Sequence, residues 1–127
     1  MTNEEKIQLA KKFLSVLSAP NEEVVKSVAV EDMLLTFPGS STISGEAHGV
    51  DGVMKRATTI ASYRVHVEVG RSVYGHSGVA VFLHNTGSKN GRTLDEHLAA
   101  VFSFRDGKIA RLDTFLSDVP MVKDFFG

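Results

Sequence analysis

The chain contains no cysteine, which rules out a disulfide framework, a thiol nucleophile and a thiolate metal site. It also lacks an excess of either charge, with 14 basic against 15 acidic residues and a formal net charge of −1. Phosphate binding leaves a basic patch or stripe, and no such patch or stripe is present, so no nucleic-acid partner is expected. No apolar run approaches the roughly 20 residues of a membrane span. The opening residues Met1 to Glu5 are polar and acidic rather than basic then apolar, unlike a signal peptide, so a cytoplasmic location and no membrane partner are the expectation. What remains is an ordinary globular composition, 43% hydrophobic and 23% charged over 127 residues. That is one domain over residues 1–127, large enough to bury its own core.

Along the chain, Thr2 and Glu5 have capping-box spacing. Ile7, Ala10, Phe13, Leu14 and Leu17 recur at helical intervals and predict a first helix over 3–18. Asn21 caps a short second helix carrying Val24, Val25 and Val28. Residues 33–37 form a strand stopped by Pro38-Gly39, a polar loop follows, and a third helix runs over about 49–62. From Tyr63 the period changes to two, as in a half-buried strand over 63–69. Further strands are predicted over 79–84, 92–104 and 108–116. A polar loop over 85–91 separates the first two, and a three-residue turn at Arg105-Asp106-Gly107 separates the last two. Asp118 and Pro120 open a short final helix.

Helices first and a meander of long strands afterwards indicate an α+β domain, with helices gathered on one face of an antiparallel sheet. Residues 79–83 and 98–104 are apolar at nearly every position, so both faces of those strands require cover. The helices cover one. A second copy of the sheet is the expected cover of the other, giving a homodimer through the open sheet face.

Strand pairing decides which side chains share a face. The three-residue turn places Phe104 opposite Lys108, Ala100 opposite Leu112 and Leu98 opposite Thr114. With the same phase kept through 85–91, one face carries Phe82, His84, Glu96, Leu98, Ala100, Phe102, Leu112 and Thr114. A one-residue bulge would swap part of that set. This face, small at Ala100 and aromatic around it, is where a pocket for a small apolar or aromatic molecule is expected. Phe13, Leu17 and Phe37 are its helix and loop contributions, and the candidate ligand-binding set is completed by Phe82, Glu96, Leu98, Ala100, Leu112 and Thr114. The same pattern also fits a solid core.

His84 is the candidate for acid–base catalysis, since its ordinary pKa lies near neutrality and Glu96 lies diagonally across the strand pair. A strand-end histidine bonded to a backbone carbonyl is the alternative. His97 with Asp95 or Asp113 falls on the expected dimer face. No two of the five histidines have helical ligand spacing, so no metal and no cofactor are expected. Ser40-Ser41 lacks the setting of a nucleophile elbow, and Gly45, Gly49 and Gly52 lack that of a phosphate loop.

The segments Phe37-Pro38-Gly39-Ser40-Ser41, Gly45 to Val53, Gly91 to Asp95 and Val101 to Ile109 resemble SnoaL-like proteins. These form part of the nuclear transport factor two-like, or ketosteroid-isomerase-like, superfamily. The resemblance spans nearly the whole chain and implies a cone: a curved sheet wrapped around N-terminal helices, a cystatin-like roll with a deep pocket, often dimeric. Its members include isomerases, polyketide cyclases, dehydratases, epoxide hydrolases and binding proteins, so the resemblance indicates fold more sharply than activity. The positions that carry polar catalytic groups in steroid isomerases read Phe13, Phe37 or Pro38, and Ala100 in this chain. The Asp–Arg–Asp set of epoxide hydrolases reads Phe82, His84 and Thr114. Of the residues that cyclases would use, Asp113 is out of phase and Asp118 lies beyond the strand. The resemblance therefore implies a pocket protein without the steroid-isomerase or epoxide-hydrolase machinery. Either it acts as an isomerase, lyase or cyclase through His84, or it is a non-catalytic binding or accessory domain. A cone filled by its own side chains is the third reading.

Overall fold

The computed structural model describes all 127 residues. Helix α1 spans Asn3–Ser15. The Thr2 hydroxyl accepts from the Glu5 amide and the Glu5 carboxylate accepts from the Thr2 amide, so two orphan donors of the first turn are satisfied. Its buried stripe, Ile7, Ala10, Phe13 and Leu14, faces the core. Asn21 caps α2 (Glu22–Val28) by accepting from the Val24 amide. Strand β1 (Ala29–Phe37) follows without a loop, starting earlier than the apolar run at Met33 indicates. Strand β2 (Gly45–His48), hydrogen-bonded to β1, lies between the polar loop and the third helix, where the sequence pattern indicates no strand. Helix α3 occupies Gly49–Ser62.

The remaining strands are β3 (His66–Tyr74), β4 (Gly78–Lys89), β5 (Arg92–Arg105) and β6 (Lys108–Leu116), before α4 (Val119–Phe126). Tyr63, Arg64 and Val65 stand outside β3: Tyr63 caps α3, Arg64 takes a left-handed φ of 53°, and the Tyr63 hydroxyl donates to the Phe126 carbonyl. The sheet order is β2-β1-β6-β5-β4-β3. All pairs are antiparallel except β1–β6, which is parallel. This is the α+β architecture of helices on one face of a curved, unclosed sheet. No helix is long and apolar enough to cross a membrane.

Two tight hairpins set the phase of the long strands. Asn90 and Gly91 both have positive φ (53° and 76°), as do Asp106 and Gly107. These are the requirements of a two-residue type I′ turn, which Asn-Gly and Asp-Gly satisfy at least cost. Residues 85–89 are therefore strand rather than loop, and Lys89 pairs with Arg92. Even-numbered residues of β4 consequently stand opposite odd-numbered residues of β5: Phe82 opposite Ala99, His84 opposite His97. This corrects the phase expected for β4.

At the other hairpin the turn is also two residues long, and Arg105 pairs with Lys108. An irregularity between Ser103 and Phe104 then adds one residue on the β6 side. The two changes together shift the expected pairing by two residues, so Ala100 faces Thr114 and Phe102 faces Leu112. A shift of two leaves every side chain on its expected face. Along β5 the inner residues Leu94, Glu96, Leu98, Ala100 and Phe102 are buried, while Asp95 and His97 between them are exposed.

Candidate functional site

Between the inner sheet face and the helices lies a cavity of about 60 Å³. Its floor is Leu83 and Asn85 from β4, Glu96, Leu98 and Ala100 from β5, and Leu112, Thr114 and Leu116 from β6. Leu14 and Leu17 cover it from the first helix and the turn after it, and Phe37, Ile43, Ile60, Val122 and Phe126 close its end. Helix α4 reaches that end because the Asp118 carboxylate caps it, accepting from the Met121 amide, and because Phe125 and Phe126 cluster with Ile43 and Leu94.

Leu17, Phe37, Glu96, Leu98, Ala100, Leu112 and Thr114 all line this space. Three other expected members do not. Phe13 is a solid core residue, packed edge-on to Phe102 with ring centroids 6.1 Å apart. Phe82 and His84 point to the outer face, because the Asn90-Gly91 turn gives β4 the opposite phase. The lining residues that sequence reasoning omitted include Asn85, Val65, Val67 and the apolar side of α4. The Asn-Gly dipeptide was the signal that would have found Asn85.

Glu96 is the only ionisable group among the lining residues. It is 2% exposed. One carboxylate oxygen, Oε1, accepts from the Ser117 amide at 2.5 Å, the Ser117 hydroxyl at 3.0 Å and the Asp118 amide at 3.4 Å. The other, Oε2, is buried with no donor, and so is Oδ1 of Asn85, which stands directly opposite on β4. A buried polar atom left unpaired costs about 1–3 kcal/mol. Two acceptors lacking donors in an apolar cavity thus form a local demand for a hydrogen-bond donor.

The outer face holds a different constellation. The His84 and His97 rings stack with centroids 4.1 Å apart and planes 11° from parallel. Asp95 Oδ1 lies 2.5 Å from His84 Nε2, and this hydrogen bond holds the Asp95 carboxyl below its usual range. Ligand-capable atoms of His84, Asp95 and His97 all lie within 4.8 Å of one another. Spacing along the chain conceals this group, because a cross-strand pairing assembles it. Asp113, by contrast, is bonded to Thr36 and Arg111 rather than to a histidine.

The family model described as a SnoaL-like domain matches residues 10–112. No curated protein matches the sequence. Solved structures do. Bal32a, from a soil-derived mobile gene cassette, is 16% identical, with 98% of each chain covered and a TM-score of 0.88. An NTF2-like protein from Burkholderia xenovorans LB400 is 19% identical over 100% of this chain and 99% of its own, with a TM-score of 0.86. TerC, co-crystallized with polyporic acid, is 16% identical over 96% and 98%, with a TM-score of 0.81. At these identities the likeness is one of fold.

Proposed function

Because this chain belongs to the SnoaL-like domain family, we propose that it binds a small, largely apolar molecule carrying a hydroxyl or other donor in the cavity beneath its helices. The observation that carries this reading is Glu96 Oε2, buried and unpartnered in an otherwise apolar space. A ligand donor placed there would pair the oxygen while its hydrocarbon body meets Leu98, Ala100 and Leu112. The structural neighbour TerC, crystallized with polyporic acid, lends the reading support by analogy alone.

For acid–base chemistry of the isomerase, lyase or cyclase kind, Glu96 is the proton acceptor in this proposal, since His84 lies on the far side of the sheet. Asn85 and Thr114 would orient the substrate. A cofactor has no part in this scheme.

A cavity of about 60 Å³ is smaller than the roughly 150 Å³ that accommodates benzene in a protein core. An aromatic ligand therefore has to part the half-buried Leu17, Phe37 and Ile60. The same volume favours the second reading, a cone filled by its own side chains.

Phenol and toluene separate the two readings, being alike in size and different in one donor. On the binding reading, wild type takes up phenol at least about tenfold more tightly than toluene, the worth of one hydrogen bond to a charged group. Glu96→Leu abolishes that preference, and Ala100→Phe abolishes uptake of both. Failure of wild type to bind either would establish the filled cone.

We also propose that two copies associate through the outer sheet face. Phe115 is 61% exposed and Phe82 40%, and both flank Ala99 in one cross-strand row. An apolar row of this kind on a sheet face favours a self-complementary partner. Sedimentation of wild type should give a dimer at micromolar concentration and Phe115→Glu a monomer. A monomeric wild type would remove the proposal.

A further inference from the structure

We propose that His84, Asp95 and His97 form a site for a divalent transition-metal ion on the outer face of the sheet, separate from the cavity. The geometry comes from the hairpin. His84 and His97 are directly opposite across β4 and β5, a relation that brings Cβ atoms to about 4.5–5.5 Å. Asp95 is two residues before His97, so it projects from the same face one step along the strand. Two opposed residues and one neighbour make a triangle, and here all three carry ligand atoms.

Their separations suit an ion. Zinc takes nitrogen and oxygen ligands at about 2.0–2.2 Å, which puts tetrahedral neighbours about 3.3 Å apart. The His84–Asp95 pair, at 2.5 Å, has to open slightly, and the widest pair, within 4.8 Å, has to close by about 1.5 Å. Exposed side chains can make such adjustments by rotation, and the side chains of His84 and Asp95 are 36% and 73% exposed. Two imidazoles and one carboxylate are donors that zinc, cobalt, nickel and copper accept, whereas calcium and magnesium prefer oxygen alone. Three protein ligands leave the remaining coordination position to solvent, as in sites that keep a reactive water.

The surroundings fit the assignment. Glu68 stands directly opposite His84 on β3, where a second carboxylate can orient the imidazole through its other ring nitrogen. Phe82 and Ala99 occupy the next cross-strand row on the apolar side. A single chain supplies all three ligands, and they stand on the face opposite the cavity, beside the Phe82–Ala99–Phe115 row proposed for self-association.

The test is titration of tag-free, chelator-stripped protein with Zn²⁺ by calorimetry and with Co²⁺ by visible absorption. Wild type should bind one ion per chain and show the intense visible bands of a low-coordinate Co²⁺ site. His84→Ala, His97→Ala and Asp95→Asn should each weaken binding by about tenfold or more. His76→Ala, in an exposed turn, should not change it, and circular dichroism confirms that each variant is folded. Absence of saturable binding in wild type, or equal binding in the three ligand variants, would overturn the assignment.

Discussion

Asn85 on β4 stands directly opposite Glu96 on β5, and each holds a buried side-chain oxygen that no protein donor reaches. One residue along the same ladder, His84 faces His97 on the other side of the sheet. A single step in register therefore separates an acid and an amide inside an apolar cavity from an imidazole cluster outside it. The division of chemistry between the two faces follows from the two-residue Asn90-Gly91 turn.

Exchanging Glu96 for glutamine tests whether the orphan oxygen is kept for a ligand rather than for the fold. Glutamine retains an acceptor for the Ser117 amide and replaces the unpartnered Oε2 with a donor. The new amide donor faces the equally unpaired Asn85 Oδ1 across the ladder, and pairing the two is worth about 1–3 kcal/mol, against about 1 kcal/mol for the lost charge assistance. The urea midpoint of Glu96→Gln should be no lower than that of wild type, while the preference for phenol disappears. A drop of several kcal/mol would mean that the carboxylate serves the structure.

The hairpin turn should be intolerant of a side chain at its second position. Gly91 has φ near 76°, a conformation that costs an ordinary L-residue about 1–2 kcal/mol. Gly91→Ala should lower stability by about that amount in urea unfolding, and Asn90→Gly should change it much less. Equal effects at the two positions would contradict the turn geometry.

Acid sensitivity should report on Asp113. Its carboxylate accepts from Arg111 Nε at 2.8 Å and from the Thr36 hydroxyl at 2.6 Å. The Arg111 hydrogen bond, opposed by burial and aided by Thr36, holds its pKa below the ordinary carboxylate value. A group whose pKa is lowered by folding stabilises the protein above its unfolded pKa, near 3.9, and loses that contribution as pH falls through the folded value. Stability of wild type should therefore fall more steeply below about pH 4 than that of Asp113→Asn. Parallel acid limbs for the two proteins would contradict the assignment.

Much of the architecture was legible because local chemistry states it directly. Thr2 with Glu5, Asn21 and Asp118 mark helix starts, and the apolar stripe of 49–62 coincides with α3. The phase of β5 and β6 also survives, though for a compensating reason: a shorter turn and one irregularity together move the register by two residues. The β4 phase does not survive, because 85–91 is polar and resembles a loop by composition. Its polar residues belong to a strand that runs out to the sheet's end, and Asn90 and Gly91 are the only residues within it with positive φ. His84 and Phe82 were misplaced as a result, and Asn85 was missed. His97 with Asp95 is legible as a pair on the outer face, but His84 joins them only through the β4 phase set by the Asn90-Gly91 turn. Strand β2 escaped because Gly45–His48 has one buried residue, too little pattern to detect.

Ala99 and Ala100 give the most direct measurement of the central claim, since these adjacent residues present their methyl groups to opposite faces of β5. In methyl-resolved NMR, added phenol should shift the Ala100 signal saturably in wild type, leave Ala99 unmoved, and lose its effect in Glu96→Leu. A saturable shift at Ala99 with Ala100 unchanged, or an Ala100 response that persists in Glu96→Leu, would contradict a binding cavity organised around Glu96.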